Sequence, residues 1–152
     1  MHVDIIDEQT ALPLSAEAVA SIVEHVILFE ERTCDEVSIH FVDESTIRAL
    51  HHTYFNDPST TDCISFPLEP DAIPGYKNLG SVFVCPQTGL NYVRLHGGNV
   101  HEEITLYLVH GLLHLMGYDD VTEVDAHEMR EAEARHIAEL KKNGLILNPT
   151  KS

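Results

Sequence analysis

Residues 104–120 read ITLYLVHGLLHLMGYDD, and the arrangement of the rest of the chain follows from this stretch. Ile104, Leu106, Leu108, Val109, Leu112, Leu113 and Leu115 spread nearly all round a helix. A helix apolar on every side belongs at the centre of a fold. Yet it carries His110 and His114, four residues apart and therefore on one face. Two unpaired imidazoles in apolar surroundings are costly, and a shared ion removes that cost. Gly117 can take the left-handed backbone that ends a helix, and the returning chain then presents Asp119 and Asp120. Two imidazoles and one carboxylate leave the fourth position of a tetrahedral zinc open, the mark of a catalytic rather than a structural site. The competing reading keeps both histidines as core residues bonded to backbone, with the acids merely leading into the next helix.

Working outward, Gly97 and Gly98 break the chain before this helix, and Asn99 with Glu102 makes a capping pair for it. Pro86 begins the preceding helix, which runs to about His96. Thr122 begins a last helix that ends near Lys141, Lys142, Asn143 and Gly144, with basic residues and a glycine stop. Ser15 caps a helix with Val19, Ile22, Val23, Val26 and Ile27 at helical spacing. Asp43 caps another through about Tyr54, with Ile47 and Leu50 inward. Residues 2–6, 37–42, 61–68 and 80–85 read as strands, and residues 56–59 and 71–78 as loops. Strands and helices alternate. The predicted fold is α+β: a single domain, with a mainly parallel mixed sheet of about four strands covered by helices and the histidine helix central. The expected domain is residues 1–144, with residues 145–152 as a C-terminal tail.

The 152 residues, 43% of them hydrophobic, suffice for one domain with a real core. No apolar run reaches membrane-spanning length, and the N-terminus lacks the basic-then-apolar pattern of a secretory signal. Cys34, Cys63 and Cys85 are odd in number, far apart and form no Cys-x-x-Cys pair, so they read as free thiols in a reducing compartment. The expected location is the cytoplasm. A formal charge of -16 disfavours loose, sequence-independent attraction to nucleic acid or anionic membrane but does not exclude a local cationic site, since a bound divalent ion is itself a concentrated positive charge.

His110, His114, Gly117 and Asp120 also match the ligand and glycine offsets of a His-Glu-x-x-His metalloprotease. Gly111 stands where that pattern needs glutamate as general base, so peptide hydrolysis lacks its proton acceptor unless another acid substitutes. Taken with Thr61-Asp62-Cys63-Ile64-Ser65-Phe66-Pro67, Gly80 in the next strand and Met129 with Glu133 in the last helix, the motif from His110 to Asp119 resembles the YbeY family of bacterial metal-dependent endoribonucleases. The resemblance covers residues 37–133. It implies a single α+β domain, a bound zinc-like ion, and a role in ribosomal RNA maturation and ribosome quality control.

Two departures from the family pattern stand out. Its motif normally ends Gly-Tyr-Asp-His, so Asp120 occupies the position of the third ligand histidine. A carboxylate still binds zinc, but it lowers the charge of the site, making bound water less acidic and widening the range of acceptable metals. The family also places a functional arginine just after a tyrosine or tryptophan before the Thr-Asp strand. Here Phe55 follows Tyr54, no arginine carries over, and Arg48 is the nearest substitute.

The expected metal ligands are therefore His110, His114 and Asp120, holding one Zn2+ or another divalent ion, with Asp119 as the alternative third ligand or as a hydrogen-bond partner of a ligand histidine. Asp62 is the catalytic candidate, able to orient water or a ligand; the plain alternative is a polar strand start. Ser65 can contact substrate or be structural. His51, His52, His96, His101, His127 and His136 are expected to face solvent or cap helix ends. The leading function is a metal-dependent, single-strand-specific endoribonuclease acting on small-subunit (16S) ribosomal RNA, with RNA and the small ribosomal subunit or its assembly factors as partners, and neither DNA nor membrane. The alternatives are a non-RNA metallohydrolase, such as a peptidase or amidase, and a non-enzymatic ribosome-assembly factor with a structural metal.

Overall fold

A computed structural model of the protein describes residues 1–57, 59–68 and 73–148. In chain order the elements are β1 (His2–Asp7), α1 (Ala16–Phe29), β2 (Glu36–Phe41), α2 (Glu44–Phe55), β3 (Cys63–Pro67), β4 (Asn78–Val84), α3 (Pro86–His96), α4 (Val100–Leu115) and α5 (Glu123–Lys142). Four helices begin where a side-chain oxygen takes a backbone N–H that the first turn leaves without a partner. Ser15 accepts from Ala18, Asp43 from Thr46, Asn99 from Glu102 and Thr122 from Asp125. Pro86 opens α3 without such a cap, its fixed φ already helical.

The strands form one mixed sheet in the order β1-β2-β4-β3, with β1, β2 and β4 parallel and β3 antiparallel at the edge. Side chains alternate across it. Val37, Ile39 and Phe41 of β2 are fully buried in the core shared with α1 and α4, and α5 packs in turn on those two helices. Cys63 and Ser65 of β3 point to α4, so Ile64 and Phe66 point the other way, where Ile64 joins Val42, Ile47 and Cys85 in a smaller cluster under α2. β4 starts at Asn78, two residues ahead of the expected strand, because Asn78 still pairs with Glu36 across the sheet. The loops expected over 56–59 and 71–78 and the tail to residue 152 fall partly outside the described residues, at 58, 71, 72 and 149–152.

The central helix is α4. Ile104, Thr105, Leu108, Val109, Leu112 and Leu113 have no exposed surface. Gly111 is where it touches the sheet. A Cβ there would lie 2.4 Å from Val82 Cγ1 and 2.8 Å from Cys63 Sγ, so only glycine allows so close an approach. Ser65 Oγ donates to Gly111 O at 2.9 Å, tying helix backbone directly to β3. Lys141 Nζ pairs with Glu102 Oε1 at 2.8 Å, joining the end of α5 to the start of α4. After α5 the chain returns to the core. Leu147 is buried, and its N–H donates to Thr105 Oγ1 at 3.1 Å.

His136 departs from the expectation of a solvent-facing or capping residue. It is fully buried, with Nε2 2.7 Å from Glu30 Oε2. Its place follows from helical spacing, since Met129, Ala132, His136 and Leu140 form the buried stripe of α5. Glu30 also accepts from Tyr118 OH at 2.9 Å, so one carboxylate joins the end of α1, the segment after α4, and α5.

Candidate metal centre

His110 and His114 lie on the last turns of α4, half-buried, with rings 4.7 Å apart and nearly perpendicular. Their Nε2 atoms are 3.1 Å apart. Gly117, at φ 103°, turns the chain out of the helix, a conformation that L side chains rarely adopt. Two backbone bonds close this exit, Gly117 N–H to His114 O and Tyr118 N–H to Leu113 O. The returning segment brings Asp120 Oδ2 to 3.6 Å from each Nε2. That is too long for a hydrogen bond. It is the spacing of ligands around a common point: bonds of about 2.0–2.1 Å to a tetrahedral ion put ligand atoms roughly 3.3 Å apart. The donor set thus fits a zinc-class ion, and its three atoms lie within 4.8 Å of one another.

Asp119 does not face either imidazole through a hydrogen bond. Its Oδ1 accepts the Asp120 N–H at 2.8 Å, which fixes the turn that presents Asp120. The carboxylate that does hold a histidine is Glu133 of α5. Its Oε2 lies 2.5 Å from His110 Nδ1. With a carboxylate on Nδ1, that nitrogen is the donor, and the Nε2 lone pair is left for Asp120's side of the pocket. Sequence reasoning placed Glu133 in the last helix but not at the site. The signal available was only its position in the family's motif. Burial pulls the His110 imidazole down, but the hydrogen bond and charge of Glu133, with Asp62 and Asp120 nearby, outweigh it and raise its pKa above the ordinary value.

The three residues open into a pocket of about 580 Å³ that Asp62 also lines, from the turn before β3. Burial pushes the Asp62 carboxyl above its usual range, against the opposing pull of His110. Ser65 lines the same pocket, with its hydroxyl donated to Gly111 O. Burial likewise raises the neighbouring Cys63 thiol, which keeps it neutral. The rim holds residues expected elsewhere. His51 is half-buried and faces the pocket, its Nδ1 2.9 Å from Ser59 O, and Phe55 stands beside it. Arg48 pairs with Glu44 on its own helix at 3.9 Å and does not line the pocket, so it is no substitute for the family's arginine. His127 is exposed and pairs with Glu131, and His96 bonds Tyr92 O at 3.1 Å.

Comparison with known proteins agrees with this architecture. The solution structure of a protein from Thermotoga maritima superimposes with a TM-score of 0.64 over 95% of each chain, at 22% identity, and supports the fold alone. Endoribonuclease YbeY of Protochlamydia amoebophila is 54% identical over 141 residues, 93% of this chain and 94% of that one. Endoribonuclease YbeY of Chlamydia pneumoniae is 32% identical over 151 residues, 97% of this chain and 96% of its own. The family model described as Endoribonuclease YbeY matches residues 4–141, nearly the whole fold and every residue of the pocket, and on that breadth of match the chain belongs to the YbeY endoribonuclease family.

Proposed function

We propose that this protein is a metal-dependent endoribonuclease that cuts single-stranded RNA in the maturation and quality control of small-subunit (16S) ribosomal RNA. The observation that carries the proposal is the convergence of His110 Nε2, His114 Nε2 and Asp120 Oδ2, with Glu133 behind His110, in a chain of the YbeY endoribonuclease family. His110, His114 and Asp120 would hold one divalent ion, with zinc favoured by the two nitrogens and the tetrahedral spacing. Such an ion, when bound, polarises a phosphoryl oxygen and lowers the pKa of water.

The chain's own groups supply the rest. Glu133 keeps the His110 proton on Nδ1 and the ring aimed at the pocket. Asp119 holds the Asp120 backbone, and with it the reach of the third carboxylate. Asp62 is the proton acceptor for the attacking oxygen. Its raised pKa brings a carboxylate nearer to neutral pH, where general-base catalysis is most effective. The catalytic domain runs past residue 144, where the expected tail begins, because Leu147 belongs to its core. The protein works in the cytoplasm, on RNA at the small ribosomal subunit or with its assembly factors. No helix among the described residues is long and apolar enough to cross a membrane.

The test pairs metal analysis with cleavage assays. Wild-type protein should carry one ion per chain and cut single-stranded ribosomal RNA but not peptides or DNA. His114→Ala should lose both ion and cleavage. Peptide cleavage would favour the metallohydrolase alternative. Ribosome association without any RNA cleavage, persisting in His114→Ala, would favour the assembly-factor alternative.

A further inference from the structure

Among the described residues, the pocket that holds the candidate ligands is lined by three aspartates, Asp62, Asp119 and Asp120, and by neither lysine nor arginine. A phosphodiester placed there meets no side-chain cation. Beyond the ion itself, its grip must come from contacts that are not ionic. One such contact is built into the rim. Phe55 is the last residue of α2 and is 55% exposed, an apolar ring held towards water. Its position is fixed on both sides. Asn56 follows in the left-handed conformation, with its N–H on His52 O, which ends the helix at this ring. On the inner side the His51 ring stands 5.5 Å away, itself anchored to Ser59 O. Both rings line the same pocket as His110, His114 and Asp120.

We infer that Phe55, backed by His51, is a stacking platform for one unpaired nucleobase next to the phosphodiester being cut. The inference rests on the RNA-cleaving function proposed above and adds the subsite that seats the strand. An aromatic face is sequence-tolerant, because every base has a π-surface, and it needs no charge. It also discriminates by structure. A base inside a duplex is already stacked on both sides and cannot offer a face to Phe55. Strand preference therefore originates at this rim, with the aspartates repelling any backbone that the ion does not hold.

The chain contains no tryptophan, so Phe55→Trp places a single indole at the rim. Metal-loaded Phe55→Trp should show saturable fluorescence quenching by a short single-stranded oligoribonucleotide. The same sequence in duplex form, and an abasic ribose-phosphate strand of equal length, should leave it unquenched. Phe29→Trp, at an exposed position on α1 outside the pocket, controls for non-specific quenching and should not respond. In cleavage assays Phe55→Leu should raise KM roughly tenfold with kcat changed less, and Phe55→Trp should restore it. Equal quenching by the abasic strand, or an unchanged KM in Phe55→Leu while RNA is still cut, would overturn the platform and leave the ribonuclease reading intact. No RNA cleavage by the wild type would overturn both.

Discussion

Glu133 Oε2 stands 2.5 Å from His110 Nδ1, joining two helices across 23 positions of the chain. The carboxylate does not enter the ligand triangle; it sets which nitrogen of His110 can. Replacing such a partner typically costs metal affinity about 10–100-fold. Glu133→Ala should weaken metal binding by that order, read by competition with a chromogenic chelator. Glu133→Gln, which keeps an acceptor oxygen, should lose less. Unchanged affinity in both variants would remove Glu133 from the site.

Asp120 and Asp119 have different parts in the same turn, and their variants should differ accordingly. Asp120→Ala should strip the ion, since two imidazoles alone hold a labile metal poorly. Asp120→His should keep it and make water at the ion more acidic, shifting the rising, low-pH limb of the pH–rate profile to lower pH. Asp119→Ala should retain the ion with reduced affinity, because it loses only the bond to the Asp120 N–H. Metal lost from Asp119→Ala but kept by Asp120→Ala would reverse the assignment.

Acid should unfold the protein partly through His136. Burial lowers its pKa, more than the Glu30 hydrogen bond raises it, so the fold holds the neutral ring. Between that lowered value and the ordinary value of about 6.5, the unfolded chain binds a proton that the folded chain refuses. Stability is therefore full above about 6.5 and falls as the pH drops through the window below. Tm should decline more steeply from about pH 7 to about pH 5 in wild type than in His136→Gln, which keeps a donor for Glu30 without the titration. Parallel declines would show that other groups control acid stability.

Gly111→Ala should destabilise the fold. The added methyl meets Val82, fully buried and β-branched, and Cys63, neither of which can swing aside. Overpacking of this kind costs about 1–3 kcal/mol. Chemical denaturation should show that loss, with no change in the identity of the bound metal.

Most of the fold was legible because its signals are local. The caps at Ser15, Asp43, Asn99 and Thr122 need only a side chain and a backbone N–H three residues on, and each helix begins as they indicate. The pairing of His110 with His114 follows from helical geometry alone. Contacts between elements were not legible in the same way. Tyr118 meets Glu30 across 88 positions, and nothing in either neighbourhood announces the other. His136 was readable and was missed. Its spacing from Met129, Ala132 and Leu140 puts it on the buried stripe of a helix that is otherwise polar and heavily charged. Phe55 carried a signal of the opposite kind, an apolar residue at the exposed end of a helix, whose meaning depended on the pocket it borders.

The contact of Gly111 with the sheet decides where a proton acceptor can come from. In a His-Glu-x-x-His protease the base grows from the helix itself, one residue beyond the first ligand. Here the space that side chain would need is already filled by Val82 and Cys63. Close seating of the helix and a helix-borne base are competing uses of one position. No single substitution could make this scaffold a peptidase of that type, because adding the glutamate would first lift α4 from β3 and β4 and disturb the two imidazoles it was meant to serve. A proton acceptor for this centre therefore has to come from the opposite wall of the pocket, where Asp62 lies.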